Sequence, residues 1–469
     1  MHITSYNFQH LPFSDLFQVY NKNYNSVSEF FNGDPHNNKV LAEQAGKVNY
    51  KYPRSQLITC LKEFNKQFDN SERLLKNIER FSDDNSVAIV TGQQLNMLGG
   101  PTMIVYKILT AILQARKLEE QTGTPAVPVF WLGDEDHDYK EIQDVIALTR
   151  DSYQKFSFDP PEKAPHAVAD MKLNGQIENF KDEVSECLYD TDFSDHLWNL
   201  IDQWYKPGCS FVYAFGSFIA HLFAKHGVVL AGSNTTLIKD HIKAGLITAV
   251  EERERIEENL ARQSKKIDAK YHQQVKLSGS NLFYLDPDEG RMKINLNGDR
   301  WLTDNGKEWS TAELTKNINQ QPERFSPNVF LRPVLQDYLL PTAGYVAGPG
   351  EVAYYAQMKD VYPVFDLSMP VILPRFNATI IESAIDRILD KLPFELHEYQ
   401  QRIEDLETQY VKQKDTVNID RLFGQWKQHI QELSDEKAEI IADIDPTLKK
   451  SVGSAKAVYF GELDKLKGK

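Results

Sequence analysis

Two short apolar runs separated by an amphipathic helix constrain the fold of this chain more than any other feature. The runs SVAIV (86–90) and VPVFWL (127–132) have the length and composition of buried strands. Between them, the loop TGQQLNMLGG (91–100) precedes Pro101, which we expect at the first position of a helix. Strand, helix and strand in this order form a βαβ unit. The chain is therefore predicted to contain a parallel α/β sheet.

The α/β pattern continues beyond this unit, with one insertion. The apolar run at 228–232 extends the α/β pattern, which resumes at 327–341 and ends near 369–377. From 240 to 275 the chain is charged and helical in composition. The segments NLFYLD, RMKINL and RWLTD that follow are separated by turn signals, which predicts a small antiparallel meander. We place the core domain at 1–382, with these insertions at about 240–305.

The end of the chain has heptad spacing, which is typical of coiled coils. A first apolar seam alternates spacings of three and four residues: Leu396, Tyr399, Ile403, Leu406, Tyr410. A second seam, interrupted by Lys437, runs through Trp426, Ile430, Leu433, Ile440 and Ile444. A polar connector around Asp415–Asn418 separates the two seams. The pattern predicts that 383–469 is a helical hairpin or coiled-coil arm.

Charge and cysteine content exclude several classes of protein. Lys and Arg number 53 and Asp and Glu number 67, which gives a net charge of −14 and argues against nucleic acid as a partner. The three cysteines are widely separated, so neither a disulfide framework nor a thiolate zinc site is expected. No signal peptide and no apolar run of about 18 residues is present, which predicts a cytoplasmic protein without a membrane partner.

The loop after the first strand is the first candidate site, because ligands bind beyond the carboxyl ends of parallel strands. A glycine pair before a helix lets the backbone approach an anion at the helix start. The amides of two glutamines can stabilise an oxyanion. A tight turn without a ligand is the alternative. We assign catalysis to Gln94 and binding to Thr91, Gly92, Gln93, Gly99 and Gly100.

The second candidate site is the acidic cluster that follows the second strand. Asp136, His137 and Asp138 are the candidate catalytic residues, and nearby carboxylates should favour the imidazolium form of His137. The same carboxylates could instead hold Mg²⁺. A solvated helix start is a third explanation. Since no metal-binding motif is present, we assign no metal site.

The third candidate site lies further along the chain, where two arginines each neighbour a proline. Arg332 and Arg375 could each hold a carboxylate bidentately, although structural ion pairs are the commoner role of such residues. Gly348-Pro349-Gly350 is a second segment whose glycines would let the backbone approach a ligand closely. The remaining candidate binding residues lie near a possible strand end or at the start of a helix: Gln336, Asp337, Gly348, Gly350, Glu351.

Four of these segments together resemble the signature stretches of the bacillithiol synthase family, the cysteine-adding ligases of bacillithiol biosynthesis. The segments are TGQQLNMLGGPTMIVYK, VPVFWLGDEDHDYKEI, SPNVFLRPVLQDYLLPTAGYVAGPGEVAYYAQM and MPVILPRFNATIIE. They occur in order through most of residues 80–385, and the hairpin after them is similar to the family's coiled-coil arm. The chain departs from the family pattern at Asn96 and Asn377. It also ends at Lys469, so we expect an arm that is shortened at its C terminus.

The resemblance implies a fold, a reaction and a partner. The fold is a Rossmann-like core related to nucleotidylyl transferases, and the arm pairs two subunits as a homodimer. The reaction joins L-cysteine, through its carboxyl group, to the glucosamine amine of glucosaminyl-malate as the last step of thiol biosynthesis. The enzyme is then a ligase that forms an amide bond.

Amide formation from a free carboxylate needs activation, which suggests ATP with Mg²⁺ as cosubstrate and no tightly bound cofactor. Arg332, Arg375 and the helix start after Gly100 are candidates for binding the malate, with His137 or a neighbouring carboxylate as the base. A nucleotidylyl transferase acting on another small acid and a non-catalytic dimeric scaffold are the alternatives. Polar loops at two adjacent strand ends disfavour the scaffold.

Overall fold

A computed structural model describes residues 3–69, 71–149, 152–159, 167–276, 281–414 and 418–468. It divides the chain into two units, Met1–Ala378 and Thr379–Lys469, here called the core unit and the arm. No helix in the described ranges is both long enough and apolar enough to cross a membrane.

The described residues contain thirteen β-strands and seventeen α-helices. Strands β1 to β13, in chain order, are Val87–Gln94, Ala126–Gly133, Asp144–Leu148, Tyr153–Ser157, Val229–Ala231, Leu282–Asp286, Gly290–Lys293, Asn295–Asn297, Arg300–Leu302, Glu308–Ser310, Phe325–Pro327, Thr342–Ala347 and Val371–Pro374. Helices α1 to α17 are Asp15–Lys22, Val40–Ala45, Arg54–Asn65, Glu72–Glu79, Met103–Thr122, Gln176–Cys187, Ser194–Trp204, Phe211–Leu222, Thr236–Glu251, Arg253–Asp268, Thr311–Gln320, Leu331–Leu339, Pro349–Tyr355, Ser383–Leu389, Ile403–Lys414, Ile419–Ile444 and Lys449–Lys467.

A parallel sheet of five strands forms the centre of the core unit, in the order β13-β12-β1-β2-β5. Read from β5, the strands follow the chain order 3-2-1-4-5, which is the Rossmann arrangement. The predicted α/β class with a Rossmann-like core is therefore confirmed. Strand β1 pairs with β2 as far as Gln94 opposite Gly133. It includes Thr91–Gln94, which the sequence analysis assigned to a loop.

Three local predictions differ from the structure. Helix α5 begins at Met103, so Pro101 precedes the helix instead of occupying its first position. The β insertion is not one meander: it forms two three-stranded sheets, β11-β6-β7 and β10-β9-β8. The two sheets separate at Ile294, whose side chain is fully buried between β7 and β8. The insertion also extends to Pro327, well past residue 305.

The arm contains an antiparallel pair of helices, α16 and α17. Ion pairs join their opposite ends, Lys427 to Asp464 (2.5 Å) and Lys467 to Asp420 (2.5 Å). The first heptad seam is not one helix, because Leu396–Gln400 forms a 3₁₀ helix before α15 begins at Ile403. The predicted hairpin connector lies mostly at 415–417, outside the described residues.

Candidate active site

The carboxyl ends of the five parallel strands share one edge of the sheet, and two polar clusters lie there. The first, called the cationic cradle, consists of Lys107, Arg332, Glu351 and Arg375. The second, called the acidic loop, is the segment 134–138 that follows β2. In an open α/β sheet this edge is where ligands bind.

Lys107 is the centre of the cationic cradle. It extends from α5 and donates from Nζ to the Gly92 carbonyl (2.8 Å) and to Gln93 Oε1 (3.0 Å), and it forms an ion pair with Glu351. Its side chain is 5% exposed, and burial lowers the pKa of Lys107. Glu351 also accepts hydrogen bonds from the Tyr345 hydroxyl (2.7 Å) and from its own helix N-cap (2.7 Å). The structure thus brings the predicted residues Gly92, Gln93 and Glu351 together.

The two arginines complete the cradle. Arg332 donates to the Tyr354 hydroxyl (3.2 Å), while the Arg375 backbone pairs with the end of β12. Arg375 Nε is buried and has no hydrogen-bond partner among the described residues. A Cβ atom on Gly348 would lie 3.5 Å from that nitrogen and 3.8 Å from Lys107 Cε. The three cations and one carboxylate of the cradle give it a net charge of +2, which suits an anion.

The acidic loop is tied to the end of β5 and the start of α9. The buried Asp134 carboxylate accepts hydrogen bonds from the backbone N–H groups of Ser233 (2.9 Å) and Asn234 (3.1 Å). Glu135 accepts from the Ser233 hydroxyl (2.5 Å) and forms an ion pair with Lys239. Burial, with the adjacent Glu135 charge, raises the pKa of Asp134 to about 7. These two carboxylates therefore hold the loop in place.

Asp136 closes the acidic loop on itself and links it to β1. It accepts hydrogen bonds from the backbone N–H groups of His137 (2.7 Å) and Asp138 (3.0 Å), and from Gln94 Nε2 (2.5 Å). Gln94 also donates to Glu141 (2.7 Å). The structure brings the predicted catalytic residues Gln94, Asp136 and His137 together, whereas the Asp138 side chain is exposed.

His137 is half-buried and has a defined orientation. Its Nδ1 lies 2.9 Å from the Glu135 carbonyl oxygen. Because a carbonyl can only accept, Nδ1 carries the proton and Nε2 keeps its lone pair. Burial and then the Arg291 charge lower the pKa of His137, and they outweigh Asp136 and Glu135. The predicted preference for imidazolium is therefore wrong: the ring is neutral at pH 7 and suited to accept a proton.

Three predicted binding residues of β1 and its loop are used within the fold. The buried Thr91 hydroxyl donates to the Val346 carbonyl (2.9 Å). The Gly99 N–H donates to the Tyr205 hydroxyl (3.0 Å), and the Gly100 N–H donates to the Met97 carbonyl (2.9 Å). Both glycines have positive φ, and a Cβ on Gly99 would collide with Phe218. Because both N–H groups already donate within the protein, they give no support to the predicted contact with an anion.

Gln336 and Asp337 do not join the other candidate residues at the carboxyl edge of the sheet. Both are buried on α12, which runs back along the sheet before β12 starts at Thr342, so they lie toward the amino end of β12. Asp337 accepts a hydrogen bond from the Tyr362 hydroxyl (2.9 Å), and burial raises the pKa of Asp337 to about 6. Gly350 is exposed on the first turn of α13. It takes part in none of the described hydrogen bonds of the cradle.

Sequence reasoning missed Lys107, Lys239 and Arg291. The first of these had a usable signal, because Lys107 lies between Ile104 and Ile108 on the apolar face of α5. A buried charge is costly unless it is paired. The described residues include no group of three or more His, Cys, Asp or Glu side chains arranged to hold a metal ion.

Comparison with known proteins covers nearly the whole chain. Two family models match it: "Bacillithiol biosynthesis BshC, N-terminal Rossmann-like domain" over residues 1–376 and "Bacillithiol biosynthesis BshC, C-terminal coiled-coil domain" over residues 378–469. A relative from Salinibacter ruber is 33% identical over 464 residues, covering 97% of this chain and 84% of the relative. One from Koribacter versatilis is 38% identical (76% and 66% covered), and one from Chlorobaculum tepidum is 30% identical (89% and 76%).

Each of these relatives is named "Putative cysteine ligase BshC". The matched models agree with the two units of the structure in kind, a Rossmann-like sheet followed by a helical arm. The chain is thus an enzyme of the ligase class. It belongs to the bacillithiol biosynthesis BshC family.

Proposed function

We propose that this enzyme joins L-cysteine, through its carboxyl group, to the amine of glucosaminyl-malate and so forms the amide bond of bacillithiol. The names of the relatives support a cysteine ligase role. The observation that carries the proposal is that a cationic cluster and His137, whose Nδ1 is held by the Glu135 carbonyl, lie at one sheet edge. Consecutive residues of β1 connect the two clusters: Gln93 contacts the cradle, and Gln94 contacts the acidic loop.

The cationic cradle is proposed to bind the malate group of the acceptor. Malate is a dicarboxylate at neutral pH, so its charge matches the net +2 of the cradle. Arg375 can offer its unpartnered Nε to a carboxylate oxygen, and Arg332 can add a second charge-assisted contact. Glu351 holds Lys107 in place and keeps the site from becoming more positive.

His137 is proposed to be the general base of the reaction. The acceptor amine must be neutral to attack the carboxyl carbon of cysteine, and Nε2 of a neutral imidazole can take its proton. As the new C–N bond forms, the bond between that carbon and its activating group breaks. ATP with Mg²⁺ is the proposed source of activation, and the cationic cradle has the chemistry to hold its phosphates as well.

The direct test is to incubate the enzyme with cysteine and glucosaminyl-malate, with and without ATP and Mg²⁺, and to analyse the products by mass spectrometry. We expect a product with the summed mass of the two substrates less one water. A nucleotidylated acid without the cysteine adduct would indicate a nucleotidylyl transferase. No product under any condition would favour a non-catalytic scaffold, and either result would contradict the proposal.

We also propose that the arm pairs two copies of the chain. Helix α16 carries exposed apolar side chains at heptad spacing, among them Trp426 (45% exposed), Leu433 (57%) and Ile440 (51%). Side chains that recur every seven residues occupy one heptad position of the kind that a second helix covers in a coiled coil. A cytoplasmic location is proposed in addition, because the three cysteines are unpaired.

Charges at this heptad position are expected to separate the two copies. The double substitution Leu433→Lys and Ile440→Lys should halve the mass measured by light scattering, because burying two lysines in a coiled-coil seam is unfavourable. Leu113→Lys on α5 is the matched control, since Leu113 is equally exposed but lies in the core unit. A double variant with the parent's mass, or a monomeric parent, would contradict the pairing.

A further inference from the structure

Lys239 is the most completely buried charged side chain near the acidic loop. It lies on α9 with 1% of its side chain exposed. Its ammonium group contacts Glu135 and also donates to the carbonyl of Phe325 on strand β11. Burying a lysine in this way is costly unless its partners are well placed. Lys239 does not belong to the cationic cradle, and the proposed reaction gives it no direct role.

A short series of contacts connects Lys239 to His137 through Glu135. One carboxylate oxygen of Glu135 pairs with Lys239, and the other accepts the Ser233 hydroxyl hydrogen bond (2.5 Å). The backbone carbonyl of the same residue accepts the His137 Nδ1 hydrogen bond (2.9 Å). With its side chain held on both oxygens, Glu135 has little freedom to turn its carbonyl away.

We infer that Lys239 is a positioning residue, which fixes the Glu135 carbonyl and thereby keeps the proton of His137 on Nδ1. The free Nε2 lone pair then faces away from Glu135, available to a substrate. The consequence for catalysis rests on the proposed role of His137 as base, whereas the tautomer itself does not.

The inserted sheet takes part in this arrangement. The Phe325 carbonyl of strand β11 accepts a hydrogen bond from Lys239. Arg291 donates to the Ser326 hydroxyl (3.1 Å) and to the Pro327 carbonyl (2.8 Å) of the same strand. The charged groups that act on His137 are therefore Glu135 and Asp136 from its own loop and Arg291 from β7. Strand β11 therefore holds both Lys239 and Arg291, the two cations that act on the acidic loop.

The test is the substitution Lys239→Met in the full chain, read by ¹⁵N NMR of labelled histidine and by steady-state kinetics. In the parent, the two ring nitrogens of His137 should show the Nδ1–H tautomer. In Lys239→Met this signature should be lost in favour of Nε2–H or a mixture, and kcat should fall about 10- to 100-fold through misplacement of the base. Lys243→Met is the control, because Lys243 lies one turn later on α9 and pairs with Asp240 at the surface.

A second variant allows for the instability of an unpaired buried carboxylate. The double substitution Lys239→Met and Glu135→Gln removes both charges and keeps the backbone carbonyl, and it should also lose the Nδ1–H signature. An unchanged tautomer in either folded variant would overturn the inference, whatever the activity. A changed tautomer with unchanged kcat would support the positioning role and would contradict His137 as the base.

Discussion

Replacing His137 by glutamine is expected to lower kcat by about 10²- to 10⁴-fold, the usual contribution of a general base. Glutamine keeps approximate size and hydrogen-bonding capacity but cannot take a proton at neutral pH. The His137 ring makes one described hydrogen bond, to the Glu135 carbonyl, so its loss should change the melting temperature little. Activity would be measured as cysteine adduct formed per unit time, and stability by thermal unfolding.

The pH dependence of the parent gives a second reading of the same residue. A base must be neutral to act, and burial with the Arg291 charge lowers the pKa of His137 below its ordinary 6.5. Activity should therefore persist below pH 6.5 and fall only when the imidazole becomes protonated. The Gln variant should lack this acid limb.

Asp138→Asn is the matched control, since Asp138 is the neighbouring residue and its side chain is exposed. It should retain nearly full activity. A His137→Gln variant within threefold of the parent would return His137 to a structural role. Asp136 or a bound Mg²⁺ would then be the better candidate.

The parts of the fold that could be predicted from sequence are those with a local signal. Apolar runs of strand length with an amphipathic helix between them identified β1, α5 and β2. Ser310 and Glu313 form a capping box at the start of α11, which is a local signal of the same kind. Strand ends follow from such assignments, so Gln93, Gln94 and the acidic loop could be placed at one sheet edge.

The parts that could not be predicted depend on contacts between distant segments. The proton affinity of His137 is set by burial and by Arg291 from the inserted sheet, whereas the neighbouring carboxylates in the sequence suggest the opposite shift. The position of Gln336 and Asp337 depends on the direction of α12 along the sheet. The spacing of residues in the sequence carries no information on the pKa of His137 or on the direction of α12.

The second large effect is expected from a substitution in the cationic cradle, on the binding of the acceptor. Arg375→Met is expected to weaken glucosaminyl-malate binding about 100-fold, which corresponds to the loss of about 3 kcal/mol of charge-assisted hydrogen bonding. Arg375 is the informative arginine because its guanidinium makes one described hydrogen bond, to the Phe376 carbonyl (3.3 Å), and leaves Nε unpartnered among the described residues. Its removal should therefore affect the ligand more than the fold. Isothermal titration calorimetry with the acceptor alone measures the change.

Two comparisons decide what the cradle holds. Arg300→Met removes a half-buried arginine that pairs with Glu308 on β10, outside the cradle, so acceptor affinity should not change in this control. Titration with ATP and Mg²⁺ separates the two anions that the cradle chemistry permits. If Arg375→Met loses acceptor affinity and keeps nucleotide affinity, the dicarboxylate is the ligand. If the opposite holds, the three cations serve the phosphates, and the malate must bind elsewhere along the sheet edge.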